Sequence, residues 1–100
     1  MSVLNRRWML MLLLLILSPS MIHANQQIYT PDSSFEYHIE DDEVTILGFM
    51  GTETEVVIPP VIEGYPVTTI GEYAFIACND IWSITIPVGV TTIDYGAFYL

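Results

Sequence analysis

The sequence predicts a mainly β fold, a solenoid start with short parallel strands and an N-terminal capping β-hairpin. Two observations predict it. Residues 67–75 (VTTIGEYAF) recur as residues 90–98 (VTTIDYGAF), with six of nine positions identical at an offset of 23. A near-copy at a short fixed period marks a repeat architecture, because each copy is too small to bury its own apolar face and needs a neighbour to stack on. Ahead of the copies, two runs of alternating apolar and polar residues flank an acidic turn, the pattern of a hairpin with one buried face.

Charge divides the 100-residue chain sharply. Both basic residues, Arg6 and Arg7, lie near the start, and all twelve acidic residues lie between Asp32 and Asp94. The body therefore has no Lys or Arg. Such a surface repels phosphates, which makes nucleic acid and anionic membranes poor partners. Cys78 is the single cysteine, so no intramolecular disulfide forms, and it reads as a small apolar residue.

Residues 1–24 read as an export signal. Arg6 and Arg7 precede an unbroken apolar run, residues 8–17 (WMLMLLLLIL), and Ala24 offers a cleavage site. Ten apolar residues span about 15 Å as a helix, roughly half a bilayer core, so an anchor is not expected. The Leu-rich core favours the general secretory route over twin-arginine export. The expected location is secreted or at the cell surface. Residues 25–34 (NQQIYTPDSS) are polar, contain Pro31 and read as a flexible leader.

The capping hairpin is expected over residues 35–51. Phe35, Tyr37 and Ile39 alternate with Glu36, His38 and Glu40; Val44, Ile46 and Gly48 then alternate with Thr45, Leu47 and Phe49, and Gly51 closes the unit. A hairpin in this place covers the open end of a repeat core. The repeats are expected over residues 52–100, the last one incomplete. Residues 55–60 (EVVIPP) correspond to residues 83–87 (SITIP), with Pro59 and Pro87 28 residues apart. The surplus over 23 falls in residues 61–67 (VIEGYPV), read from Gly64 and Pro66 as a projecting loop. In the second copy, Ile81, Ile84 and Ile86 have the apolar spacing of a leucine-rich-repeat strand. Ile84 and Ile86 are expected inward and Ser83 and Thr85 outward, with Val90 and Ile93 facing the core from the opposite side. Ala74/Ala97 and Phe75/Phe98 close the coil, and residues 71–75 form a turn too short for an independent helix.

These motifs resemble the BspA-like class of leucine-rich repeats, typified by bacterial surface antigens. Its strand ending in Ile-Pro is met at Ile58-Pro59, its Val-Thr-x-Ile-Gly at residues 67–71 and its Ala-Phe-x-x-Cys at residues 74–78. The resemblance covers roughly residues 44–100. It departs at Asp94, where the family has Gly, and the second copy stops before its Cys. The resemblance implies an exported binding or adhesion module without catalytic activity, engaging a protein or cell-surface ligand through its strand face. The short repeat count suggests a fragment or truncated form of a longer repeat protein, open to self-association through its uncapped C-terminal end. The alternative is a non-catalytic appendage of a larger exported enzyme or cell-wall protein.

The sequence offers no constellation for chemistry. One Cys and two His lack zinc spacing, and there is no Gly-rich phosphate loop. No cofactor, metal or enzymatic activity is expected. His38 reads as a surface histidine. Glu40-Asp41-Asp42-Glu43 lacks the spacing of a calcium loop and reads as a solvated turn. The candidate partner-binding residues are Trp82, Tyr65 and Thr85, with Trp82 off the core positions, as interface aromatics often are.

Overall fold

The computed structural model describes residues 27–99. The proposed signal, residues 1–24, and the last residue of the repeat region lie outside the described residues.

Strands β1 (Phe35–Glu40) and β2 (Glu43–Phe49) form the expected antiparallel hairpin. Its two-residue turn, Asp41-Asp42, has positive φ at both positions (53° and 61°). That conformation matches the twist of the flanking strands, and Asp tolerates it better than most residues. Val44 and Ile46 are fully buried and Phe35 nearly so. A bulge between Glu36 and Tyr37 shifts the register. Phe49, read as outward, instead packs on the core and meets the rings of Phe35 and Phe75, each at 5.8 Å.

The recurring VTTI segments are themselves strands. Strand β5 (Tyr65–Ile70) runs parallel to β2, and β7 (Thr92–Ile93) runs parallel to β5. Val67 and Ile70 are both fully buried although three residues apart, which period-two alternation forbids. The resolution is a bulge: Val44 pairs with Val67 but Thr45 pairs with Thr69, leaving Thr68 as the extra residue. The Thr68 carbonyl accepts a hydrogen bond from Thr91 N–H at 2.9 Å in the next copy.

Strands β3 (Glu55–Val57) and β6 (Ser83–Thr85) make a second, two-stranded parallel sheet with the 28-residue offset read from the sequence. Val56 and Ile58 from the first copy are buried. The expected projecting loop is not one. Residues Val61–Ile62 form a short strand, β4, that folds back on β5 around Glu63 and Gly64, both at positive φ. Ile62 is fully buried, so the insertion adds a side chain to the core as well as a turn.

The lead-in is also more ordered than its polarity suggests. Thr30 is buried, donates its N–H to Val57 O at 2.9 Å and accepts from Val57 N–H through Oγ1 at 2.8 Å. Asp32–Ser34 forms a 3-10 turn, and Ser34 O accepts from Met50 N–H at 2.7 Å. A polar segment is held here because Thr30 satisfies both backbone groups of Val57 at the edge of β3 and Ser34 Oγ donates to Glu53.

The turns over the copies interlock by backbone hydrogen bonds: Gly71 N–H to Ile46 O and Asp94 N–H to Ile70 O, then Phe75 N–H to Ala97 O. Phe49, Phe75 and Phe98 stack in one column, with centroids 5.8 and 5.4 Å apart and ring planes within 26° and 20° of parallel. Burial falls along this column. Ile70 and Phe75 are 0% and 2% exposed, but their counterparts Ile93 and Phe98 are 52% and 37% exposed. Ile86 and Ile93, expected inward, are 37% and 52% exposed, with no further strand paired to β6 or β7 among the described residues. Val90 and Ile84 are intermediate and pack against the core.

Phe75→Ala is therefore expected to cost about 3–5 kcal/mol, the range for truncating a buried aromatic, which approaches the whole stability of so small a domain. Phe98→Ala removes the same atoms from a half-covered place and is expected to cost much less. Urea unfolding followed by circular dichroism measures both; equal losses would contradict the burial gradient.

Candidate functional site

The structure separates the three residues singled out by sequence. Trp82 lies just before β6, held by its N–H to Thr54 O at 2.9 Å, and its side chain is 71% exposed. It borders an apolar groove of about 350 Å³ at the end of the stacked copies, together with Phe75, Cys78, Ile81, Ile84 and Phe98. Thr85 does not line this groove. It is exposed at the end of β6, its carbonyl accepting from Ile58 N–H at 3.0 Å, and it borders a separate hollow with Tyr29, Pro60 and Val88. Tyr65 stands at the start of β5, beside the Glu63-Gly64 turn. Sequence reading expected Phe98 to stand open at the end of the stack, but did not bring it and Phe75 into one groove with Trp82. The recurrence of Ala-Phe was visible, but a repeat motif does not tell which side chains from other elements meet it.

Cys78 packs against the core at intermediate exposure and directs Sγ toward Ile76 O at 3.6 Å. Loss of solvent pushes its thiol pKa above the ordinary 9.0. It is thus a weakly nucleophilic thiol in the groove wall. His38 Nε2 lies 3.5 Å from Glu40 Oε2, both side chains being more than half exposed. Glu40-Asp41-Asp42-Glu43 forms the tip of the β1–β2 hairpin. Among the described residues no three His, Cys, Asp or Glu side chains come together as metal ligands, and no helix is long and apolar enough to cross a membrane.

No family model and no curated protein matches the chain. Among solved structures it is similar to the crystal structure of a T. pallidum leucine-rich repeat protein, with a TM-score of 0.70 and 30% sequence identity. The similarity covers 72% of this chain and 35% of that one, so the chain corresponds to about a third of that protein's length. The neighbour supports a leucine-rich-repeat kind of fold, a mainly β repeat architecture whose members commonly bind proteins.

One polar contact ties the entry hairpin to the inserted turn. The Tyr37 hydroxyl donates to Glu63 Oε2 at 2.7 Å. That bond, then desolvation and the negative charges of Glu63 and Asp32, raise the phenol pKa above the ordinary 10.0. Because the folded value is raised, the contact supports the fold below the ordinary pKa and that support is lost as pH rises through the folded value. Glu63→Gln is expected to return Tyr37 toward 10.0, read from an NMR titration of its ring carbons. An unchanged titration would show that the hydrogen bond does not govern it.

Proposed function

We propose that the chain is an exported, non-catalytic binding or adhesion module of the BspA-like leucine-rich-repeat type, in which the β1–β2 hairpin caps the N-terminal end of a solenoid. The observation that carries the binding role is Trp82, 71% exposed at the mouth of an apolar groove. Large aromatic anchors beside a desolvated hollow are where protein interfaces concentrate their affinity. The partner is a protein or cell-surface ligand presenting an apolar segment. The export role rests on residues 1–24, with their basic start, short apolar core and Ala24. The same groove is where self-association through the C-terminal end of the stack would occur.

Binding is tested by selecting peptides from a random displayed library on the immobilised chain. Selected peptides are expected to protect Cys78 from maleimide, since that thiol lines the groove. They are expected to lose about thirtyfold in affinity on Trp82→Ala, the loss of one interface hot spot. Because Trp82 is exposed, the substitution should leave stability within about 0.5 kcal/mol. Binders indifferent to Trp82→Ala, with Cys78 still reactive, would refute the groove as the binding surface. Sedimentation of the free chain separates self-association from partner binding. Export is tested by N-terminal sequencing of protein recovered from the medium of cells expressing the whole chain. A start near Asn25 is expected, and retention of Met1 inside the cell would refute it.

A further inference from the structure

A second aromatic group stands on the turns that follow β5 and β7, and none of its rings lines the Trp82 groove. Tyr73 meets Tyr95 at 5.7 Å and Tyr99 at 6.3 Å, each with ring planes at 86°. Edge-to-face contacts of this kind fix rings relative to one another. The backbone fixes them too, since Tyr73 N–H donates to Tyr95 O at 3.2 Å and Ala77 N–H to Tyr99 O at 3.0 Å.

The arrangement has its own backbone requirement. Tyr73 has φ +56°, a left-handed conformation uncommon for a bulky residue. The residue 23 places later is Gly96, also left-handed at φ +64°. A Cβ on Gly96 would lie 2.4 Å from the Tyr73 ring, so the second copy has no side chain where the first copy's ring needs room. Among the described residues Tyr95 is 74% and Tyr99 61% exposed, with Tyr73 between them at 38%, so all three rings present surface.

The charge around the rings selects a partner. Residues 27–99 hold all twelve carboxylates and neither Lys nor Arg, and exposed Glu72 and Asp94 directly precede Tyr73 and Tyr95 in the chain. Ring faces carry partial negative charge and attract cations, and a surrounding acidic field concentrates them. Guanidinium is favoured over ammonium because it is planar, weakly hydrated and stacks on rings. We propose that Tyr73, Tyr95 and Tyr99 form a docking face for an arginine-containing segment of a partner protein. This goes beyond the groove and stands or falls separately from it.

The test uses the folded chain and a fluorescein-labelled Gly-Arg-Gly-Arg-Gly-Arg peptide, followed by fluorescence anisotropy at about 150 mM salt, where long-range surface electrostatics are screened. Replacing both exposed rings (Tyr95→Ser with Tyr99→Ser) is expected to weaken binding about tenfold, two modest cation–π contacts together. Tyr95→Phe with Tyr99→Phe keeps the ring faces and is expected to bind within about twofold of the native chain. Glu40→Gln with Glu43→Gln removes two charges from the hairpin tip while leaving the rings in place, and should weaken binding less than the serine pair. In the unaltered chain, the peptide is expected to shift the ring NMR signals of Tyr73, Tyr95 and Tyr99 but not those of Tyr29. That readout holds even if the serine pair unfolds. Absence of binding, shifts confined to other residues, or a serine pair that binds no more weakly than the hairpin pair would overturn the proposal.

Discussion

Everything in this small fold depends on the column of phenylalanine rings that runs through it. Phe35 leans on Phe49, Phe49 stacks on Phe75, and Phe75 on Phe98. Strands in a sheet are spaced about 4.8 Å apart, and ring centroids at 5.4–5.8 Å accommodate that rise by tilting and sliding. Phe35 and Phe49 stand at the paired ends of β1 and β2, and Phe75 and Phe98 in the turns after β5 and β7. The Ala-Phe turn is also where backbone hydrogen bonds pass from one copy to the next, so ring stacking and hydrogen bonding enforce the same spacing.

The two ends of the column differ, and this difference shapes the surface. On the hairpin side, Val44 and Ile46 of β2 have no exposure and Phe35 of β1 almost none. At the other end the same residue types in the same places stand open: Ile93, Ile86 and Phe98. Position in the stack, not residue identity, decides burial. The groove beside Trp82 is the direct product, an apolar hollow made of repeat-core side chains. The acidic body adds a second constraint. Without Lys or Arg, stability comes from apolar packing and backbone hydrogen bonding, and among the described residues the exposed contact between His38 and Glu40 is of a kind worth little.

Much of this was legible in the sequence. The 23-residue recurrence, the hairpin over residues 35–49, the β3–β6 strand pair and its 28-residue offset follow from period and identity alone. What escaped did so for identifiable reasons. The VTTI strands hide their β character because a bulge at Thr68 brings Val67 and Ile70 to one face, a spacing that imitates a helix or turn. Ile62 looked like part of a loop because Gly64 and Pro66 flank it, yet a two-residue turn needs such neighbours as much as a loop does. Thr30 and Ser34 looked solvated because polar side chains held by hydrogen bonds, Thr30 Oγ1 accepting from Val57 N–H and Ser34 Oγ donating to Glu53, leave no hydrophobic pattern. The candidate site was legible only in part. Trp82 was identified from its place outside the apolar pattern, but its separation from Thr85 and Tyr65 requires the folding path of the inserted hairpin. The tyrosine group depends on left-handed backbone at residues 73 and 96, which composition does not reveal.

The most direct test of the stacked-ring account is an aromatic nuclear Overhauser experiment on the chain with labelled phenylalanine. The account predicts cross-peaks from Phe49 to Phe75 and from Phe75 to Phe98, with none between Phe49 and Phe98. Cross-peaks joining Phe98 to Phe49, or none between Phe75 and Phe98, would show that the two copies do not lie in register and would contradict the account.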